Sequence, residues 1–299
     1  MMSRKLSLLL LAGSLLTANL TFADSPADKI DNLLEQAQAL LGSDIDDAEE
    51  KIEEALKLAP KRADVHFLCG QVMGIQASQS IFSALSYAGK SLDCFKQAAT
   101  LEPQNTDYKF GLMMFYLGAP GIAGGDTELA WQLVNDIAAL DEQAGMRAKL
   151  NYYRQTDDEK AYIKTMTSAQ QRYPDHAEFY YQHGLALQQK EQYEQALAQF
   201  SQATRATIDD EEAHFKLSAL YQIGRNAVFS KQSVQQGIEA LLDYVEAVPA
   251  GTGLPSEQWA HFRLAQLYRL TSATDAVKQH LKLAAETDDK RLQDSLDDF

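Results

Sequence analysis

From Ala177 to Asp210 the chain carries a unit of 34 residues in which large and small side chains follow a fixed plan. Tyr180, Gly184 and Leu187 stand at the fourth, eighth and eleventh places of the unit. Ala196, Phe200 and Ala203 stand at the twentieth, twenty-fourth and twenty-seventh. Steps of three and four residues put these apolar side chains on one face of each of two amphipathic helices. Gly184 and Ala196 are small where such helices cross, so the backbones approach closely. Tyr180, Leu187 and Phe200 fill the space on either side. A hairpin of this kind cannot bury its apolar face alone and needs neighbouring copies.

Copies are present in both directions. Ala48, Ile52, Ala55 and Pro60 close a first unit; Ala63, His66 and Gly70 open a second, which ends with Phe95, Ala98 and Pro103. Phe110 and Tyr116 open a third, closed by Ala130, Val134 and Ile137. An irregular fourth ends at Ala169 and Pro174. Phe215, Leu217 and Tyr221 begin a sixth that finishes with Gly237, Leu241 and Pro249, and Phe262, Leu264, Ala265, Tyr268 and Ala276 mark a seventh. Four of the seven prolines (Pro60, Pro103, Pro174 and Pro249) occupy one place in the unit, where one hairpin ends and the next begins. Proline stops a helix and presets the turn.

Length and pattern together resemble the tetratricopeptide repeat (TPR). The resemblance covers roughly residues 28–287, with units near 28–60, 63–103, 106–141, 144–174, 177–210, 211–249 and 256–287. It implies an all-α, right-handed TPR solenoid of about seven helical hairpins. The polar segment from Glu286 to Phe299 is expected to form a C-terminal capping helix. Three stretches are similar to a family of exported bacterial TPR proteins: the loop beginning at Gly118, the segment Gly224 to Ser230, and Pro255 to Leu264. That likeness implies export and fold; it transfers no activity and no site residue.

The N-terminus has its own signature. Arg4 and Lys5 precede an apolar run from Leu6 to Leu16, and small residues lead to Thr21-Phe22-Ala23. This order predicts a signal peptide over 1–23, cut after Ala23, ahead of a single TPR array over 24–299. The run is too short to span about 30 Å of hydrocarbon. The mature form is expected to be soluble, without a membrane span, in the periplasm or secreted. In such a compartment Cys69 and Cys94, which fall on the two helices of one hairpin, have the option of pairing. The alternative is two small buried thiols.

The net charge is −15, and Lys and Arg form no stripe, which excludes nucleic acid as a natural partner. Ala84 to Ser91, with Gly89 and Lys90, mimics a phosphate-binding loop, but that chemistry needs a strand before the loop and a helix after it. The six histidines are spread over several units and lack ligand spacing, so no metal or other cofactor is expected. Asp46-Asp47 and the run from Asp209 to Glu212 stand at helix starts, where carboxylates favour the dipole. No nucleophile, acid or base has supporting context, and the chain reads as a non-enzyme.

Two surfaces remain as candidates for holding another protein or peptide. Phe67, Phe110, Tyr181, Phe215 and Phe262 share the fifth place of their units, which lines the concave groove of a TPR array. They form a candidate aromatic stripe. Acidic residues at the rim suit a basic or apolar segment. The other surface is an edge built by extra residues between paired helices, around 74–90, 118–126 and 224–236. Its middle portion holds Pro120, Gly121, Gly124, Gly125 and Asp126, a tight turn path with Asp126 as the expected cap of the next helix. A small-molecule or transporter-associated binding protein with a cavity in the solenoid is the alternative to a protein adaptor.

Overall fold

The computed structural model describes residues 26–206, 213–249 and 253–299. The signal-peptide segment 1–23 and the acidic run from Asp209 to Glu212 lie outside the described residues. Among those described there are fifteen α-helices, one short 3-10 turn at Gly121–Ala123, and no strand. Most follow one another as hairpins: α1 (Pro26–Leu40) with α2 (Ile45–Leu58), and α3 (Ala63–Gln79) with α4 (Ala84–Leu101); α5 (Thr106–Gly118) and α6 (Thr127–Leu140) come after them in the chain. Next come α7 (Glu142–Gln155) with α8 (Glu159–Arg172), and α9 (Ala177–Gln189) with α10 (Tyr193–Arg205). The last pairs are α11 (Ala213–Ser230) with α12 (Val234–Ala247), and α13 (Glu257–Leu270) with α14 (Thr274–Ala284). A final helix, α15 (Lys290–Asp297), packs Leu292 against Phe262 and Ala284. Contacts divide the chain into two compact units, Met1–Ala130 and Trp131–Phe299.

The small residues do what their spacing requires. A β-carbon on Gly184 would sit 2.5 Å from the Phe200 ring, one on Gly70 2.6 Å from the Phe95 ring, and one on Gly224 2.2 Å from Leu241. In these three hairpins a glycine of the first helix receives the large side chain of the second, at the eighth place of the unit for Gly70 and Gly184. The second-helix positions Ala48, Ile52, Ala55, Ala196, Phe200 and Ala203 are all fully buried. Burying a side chain the size of Ile or Phe stabilises by about 2 kcal/mol. Helix starts are capped by Asp44, Asn105, Asp141, Asp158, Ser256 and Asp289, whose side-chain oxygens accept amide hydrogen bonds from the first turn.

Two of the three expected inserted loops are not loops. The extra residues after Gly74 lengthen α3 to Gln79 and start α4 at Ala84, leaving a connection of only Ser80–Ser83. The extra residues after Gly224 continue α11 to Ser230. Burial runs on through both stretches: Asn226 and Ala227 are buried in α11, and Gln76 in α3. Lys90 and Ser91 therefore lie inside α4 rather than opening it, and buried Ser91 donates its hydroxyl to the Gly70 carbonyl at 2.7 Å. Only residues 119–126 form a true inserted loop.

Candidate functional site

The N-terminal unit presents an apolar edge where α3, α4, α5 and the 119–126 loop meet. The loop's path is forced. Gly124 has φ of 95°, a left-handed value that suits glycine. A β-carbon on Gly125 would fall 1.7 Å from the Ala119 carbonyl oxygen. The Gly125 amide donates to Pro120 O at 3.1 Å and the Asp126 amide to Tyr116 O at 2.9 Å, folding the loop back onto the end of α5. Asp126 then caps α6, accepting from the amides of Glu128 at 2.9 Å and Leu129 at 3.0 Å. The 3-10 turn inside the loop packs against α4.

This folding leaves a cavity of about 380 Å³ walled by Ala77, Leu85, Ala88, Met114, Phe115 and Ala123. Leu85 lines it, and Ile81, Phe82 and Ile122 stand within a few residues of its walls in the chain and are exposed. Phe82 is 99% exposed, Ile81 88% and Ile122 83%, and Leu85 is more than half exposed. Lone exposed apolar side chains are ordinary, whereas several on neighbouring segments beside an apolar cavity are a candidate binding surface. The polar support is fixed. Gln76 donates to Asp46 and to Glu49, both at 2.8 Å, tying α3 to α2. Lys90 lies 3.5 Å from Glu49 and 5.1 Å from the centre of the Tyr87 ring, and the Glu49 carboxylate raises the Tyr87 phenol above its ordinary pKa.

Cys69 on α3 and Cys94 on α4 are joined by a disulfide, with Cα atoms 5.8 Å apart. The bond lies in the hairpin that carries Ile81 and Phe82 at its turn. Insertion residues from the first and second stretches thus share one surface of the N-terminal unit, whereas the third stretch belongs to α11 of the C-terminal unit.

The aromatic stripe is brought together only in part. Phe67 packs edge-on to Phe95 at 5.7 Å and against Tyr108 at 4.9 Å, and Phe110 is half-buried on α5. Tyr181 and Phe215, from consecutive hairpins of the C-terminal unit, lie 5.7 Å apart, so these rings carry packing between repeats. Phe262 is 4% exposed, enclosed by Trp259 at 6.0 Å and Phe299 at 5.8 Å. It offers no surface to a partner because the tail of the chain already covers it. Ile81, Phe82, Leu85 and Ile122 were not singled out by sequence reasoning. The available signal was an Ile-Phe pair between serines, apolar where a connecting turn is ordinarily polar.

Among the described residues no group of three or more His, Cys, Asp and Glu is placed to hold a metal ion. His280 Nδ1 and His261 Nδ1 lie 3.1 Å apart, so one ring carries its proton on that nitrogen, and Tyr268 stacks on His280. Burial lowers the pKa of both rings. No described helix is long and apolar enough to cross a membrane.

No family model matches the sequence. Among solved structures, yeast Tom70 superimposes with a TM-score of 0.69 at 14% identity, over 90% of this chain and 53% of that one. The chain therefore spans about half the length of Tom70. A tetratricopeptide repeat protein from Parabacteroides merdae aligns over 90% of this chain and 98% of its own, with a TM-score of 0.44 and 12% identity. Helix order, hairpin packing and the Tom70 superposition agree on the architecture: by fold, this chain is an all-α repeat protein of the tetratricopeptide solenoid type.

Proposed function

We propose that the chain is an exported, non-catalytic scaffold that holds a partner protein by the apolar edge of its N-terminal unit. One observation carries this reading: Leu85 lines an apolar cavity, and Ile81, Phe82 and Ile122, next to its walls in the chain, are almost wholly exposed. Exposing such side chains to water is unfavourable, and covering them returns about 25 cal/mol per Å² of apolar area. The occupant is an apolar segment of the partner, flanked by neutral or basic residues, because a chain of net charge −15 repels an acidic one. Export is supported by the order of charges and apolar residues before Ala23 and by the Cys69–Cys94 bond, since disulfides persist in oxidising compartments. The aromatic groove is a weaker host, because its rings are spent on packing between repeats.

Cross-linking tests the edge directly. A photoreactive residue placed at Phe82 in the native compartment is expected to capture a partner, and one placed at exposed Leu242 in the C-terminal unit is not. Phe82→Glu combined with Ile122→Glu should abolish capture while the melting temperature holds, since both side chains lie almost wholly in water. Capture that survives the double variant would move the site away from this edge.

A further inference from the structure

The C-terminal unit contains a cleft of about 810 Å³ between α11, α13 and the segment leading into α15. For so acidic a chain its lining is unusual, because Arg225, Arg263 and Arg291 converge on it together with Glu286, Asp288 and Asp289. Two of these six are spent on one another. Arg291 pairs with Asp289 at 3.1 Å, and Asp289 also accepts from the Trp259 ring nitrogen at 3.0 Å. The Tyr244 hydroxyl donates to the Pro255 carbonyl at 2.5 Å and so anchors the rim.

The remaining groups are uncommitted or only partly committed. The Arg225 guanidinium lies over the exposed Phe229 ring at 5.0 Å. Arg263 is stacked over Trp259 at 5.5 Å and gives one hydrogen bond, from Nη1 to Gln266 Oε1 at 2.9 Å. Its Nε is buried without a partner. On the facing helix Gln222 is 8% exposed, and its Oε1 is also buried without a partner. No ion pair among the described residues engages Glu286 or Asp288. A buried donor and a buried acceptor left open each destabilise the fold, and folded chains rarely carry two such costs in one cleft without a use for them.

A ligand that answers this lining needs two opposite chemistries. A simple anion would satisfy Arg263 and Arg225 and leave the Gln222 oxygen unpaired. A simple cation would do the reverse. We propose that this cleft binds a small zwitterion, a free amino acid or a short peptide. Its carboxylate is taken by Arg263 and Arg225, and its ammonium or amide N–H by Gln222 and the carboxylates at 286 and 288. Trp259 supplies the apolar wall for the body of the ligand. This site is separate from the partner-binding edge and stands or falls without it.

Calorimetric titration of the purified chain separates the outcomes. The probes are L-alanine, the dipeptide Ala-Ala, its N-acetyl and C-amide derivatives, and sodium acetate. Alanine or the dipeptide is expected to bind, which tells a free amino acid from a peptide, and blocking either end should weaken binding at least about tenfold. Gln222→Leu should weaken it similarly while the melting temperature of the unliganded chain holds or rises, because the change removes an unpaired buried acceptor. Arg225→Gln, on a half-exposed residue, provides a second variant with the same expected loss. Acetate binding as tightly as the dipeptide would overturn the zwitterion. So would affinity unchanged by either substitution, or no heat with any probe.

Discussion

The hairpins α3–α4 and α11–α12 are both stretched beyond the ordinary repeat, and they put the extra length to different ends. In α3–α4 the helices run to 17 and 18 residues and meet at a short turn bearing Ile81 and Phe82, both almost fully exposed. A disulfide between Cys69 and Cys94 ties the two helices. In α11–α12 the turn is polar, and Lys231 and Ser233 adopt left-handed backbone at φ of 56° and 51°. That conformation costs a non-glycine residue ~1 kcal/mol. The added turns of α11 carry polar groups inward: Asn226, 2% exposed, donates to the Tyr193 carbonyl at 2.9 Å and accepts from Gln188 at 3.4 Å. Added length alone therefore does not define a binding edge. What matters is which side chains the last turn delivers to water.

The largest contrast should appear on reduction. The disulfide closes a loop with a sequence separation of 25, and in the chain-entropy view it contributes about 3 kcal/mol. Urea unfolding with and without reductant should show the N-terminal unit shifting to lower denaturant, with amide exchange in α11 and α12 unaffected. Exchange accelerated equally in both units would refute a local role for the bond.

A smaller effect is expected from the polar staple of the second hairpin. Asn226→Ala leaves the Tyr193 carbonyl and the Gln188 amide without their partner, at a cost of about 2 kcal/mol. Thermal unfolding of the single variant measures it. Asn226→Asp should keep the acceptor toward Gln188, lose the donor to Tyr193, and destabilise as well.

The smallest effect is one of pH and falls wholly in the C-terminal unit. Burial holds the pKa values of His183, His261 and His280 below the ordinary value. In the unfolded chain each ring takes up its proton near pH 6.5, whereas the folded state resists until a lower pH. The unfolded state then binds more protons, so stability should fall as pH drops below about 6.5 and recover above it. His280→Phe should flatten that slope, and a slope unchanged in the variant would remove the pair from the account.

The repeat was legible because it is local. The glycine places and the fully buried residues of each second helix recur at fixed spacing, and a hairpin has one way to satisfy them. The prolines and the Asp126 cap were legible for the same reason: both act within a turn of themselves. The ends of α3 and α11 were not, since Gln76 stays helical by reaching Asp46 and Glu49 on another helix. Phe262 read as a groove residue because its unit taken alone leaves it open. It is closed by Leu292 and Phe299, some thirty residues further along.

Local spacing, then, was enough to specify the helical hairpins, their small-to-large contacts and their number, because each unit repeats one packing problem. Contacts between elements distant in the chain settled which aromatic rings remain available, where the edge cavity forms and how Gln222 meets three arginines in one cleft. Burial and exposure depend on what arrives from elsewhere in the fold, and no period in the sequence encodes that arrival.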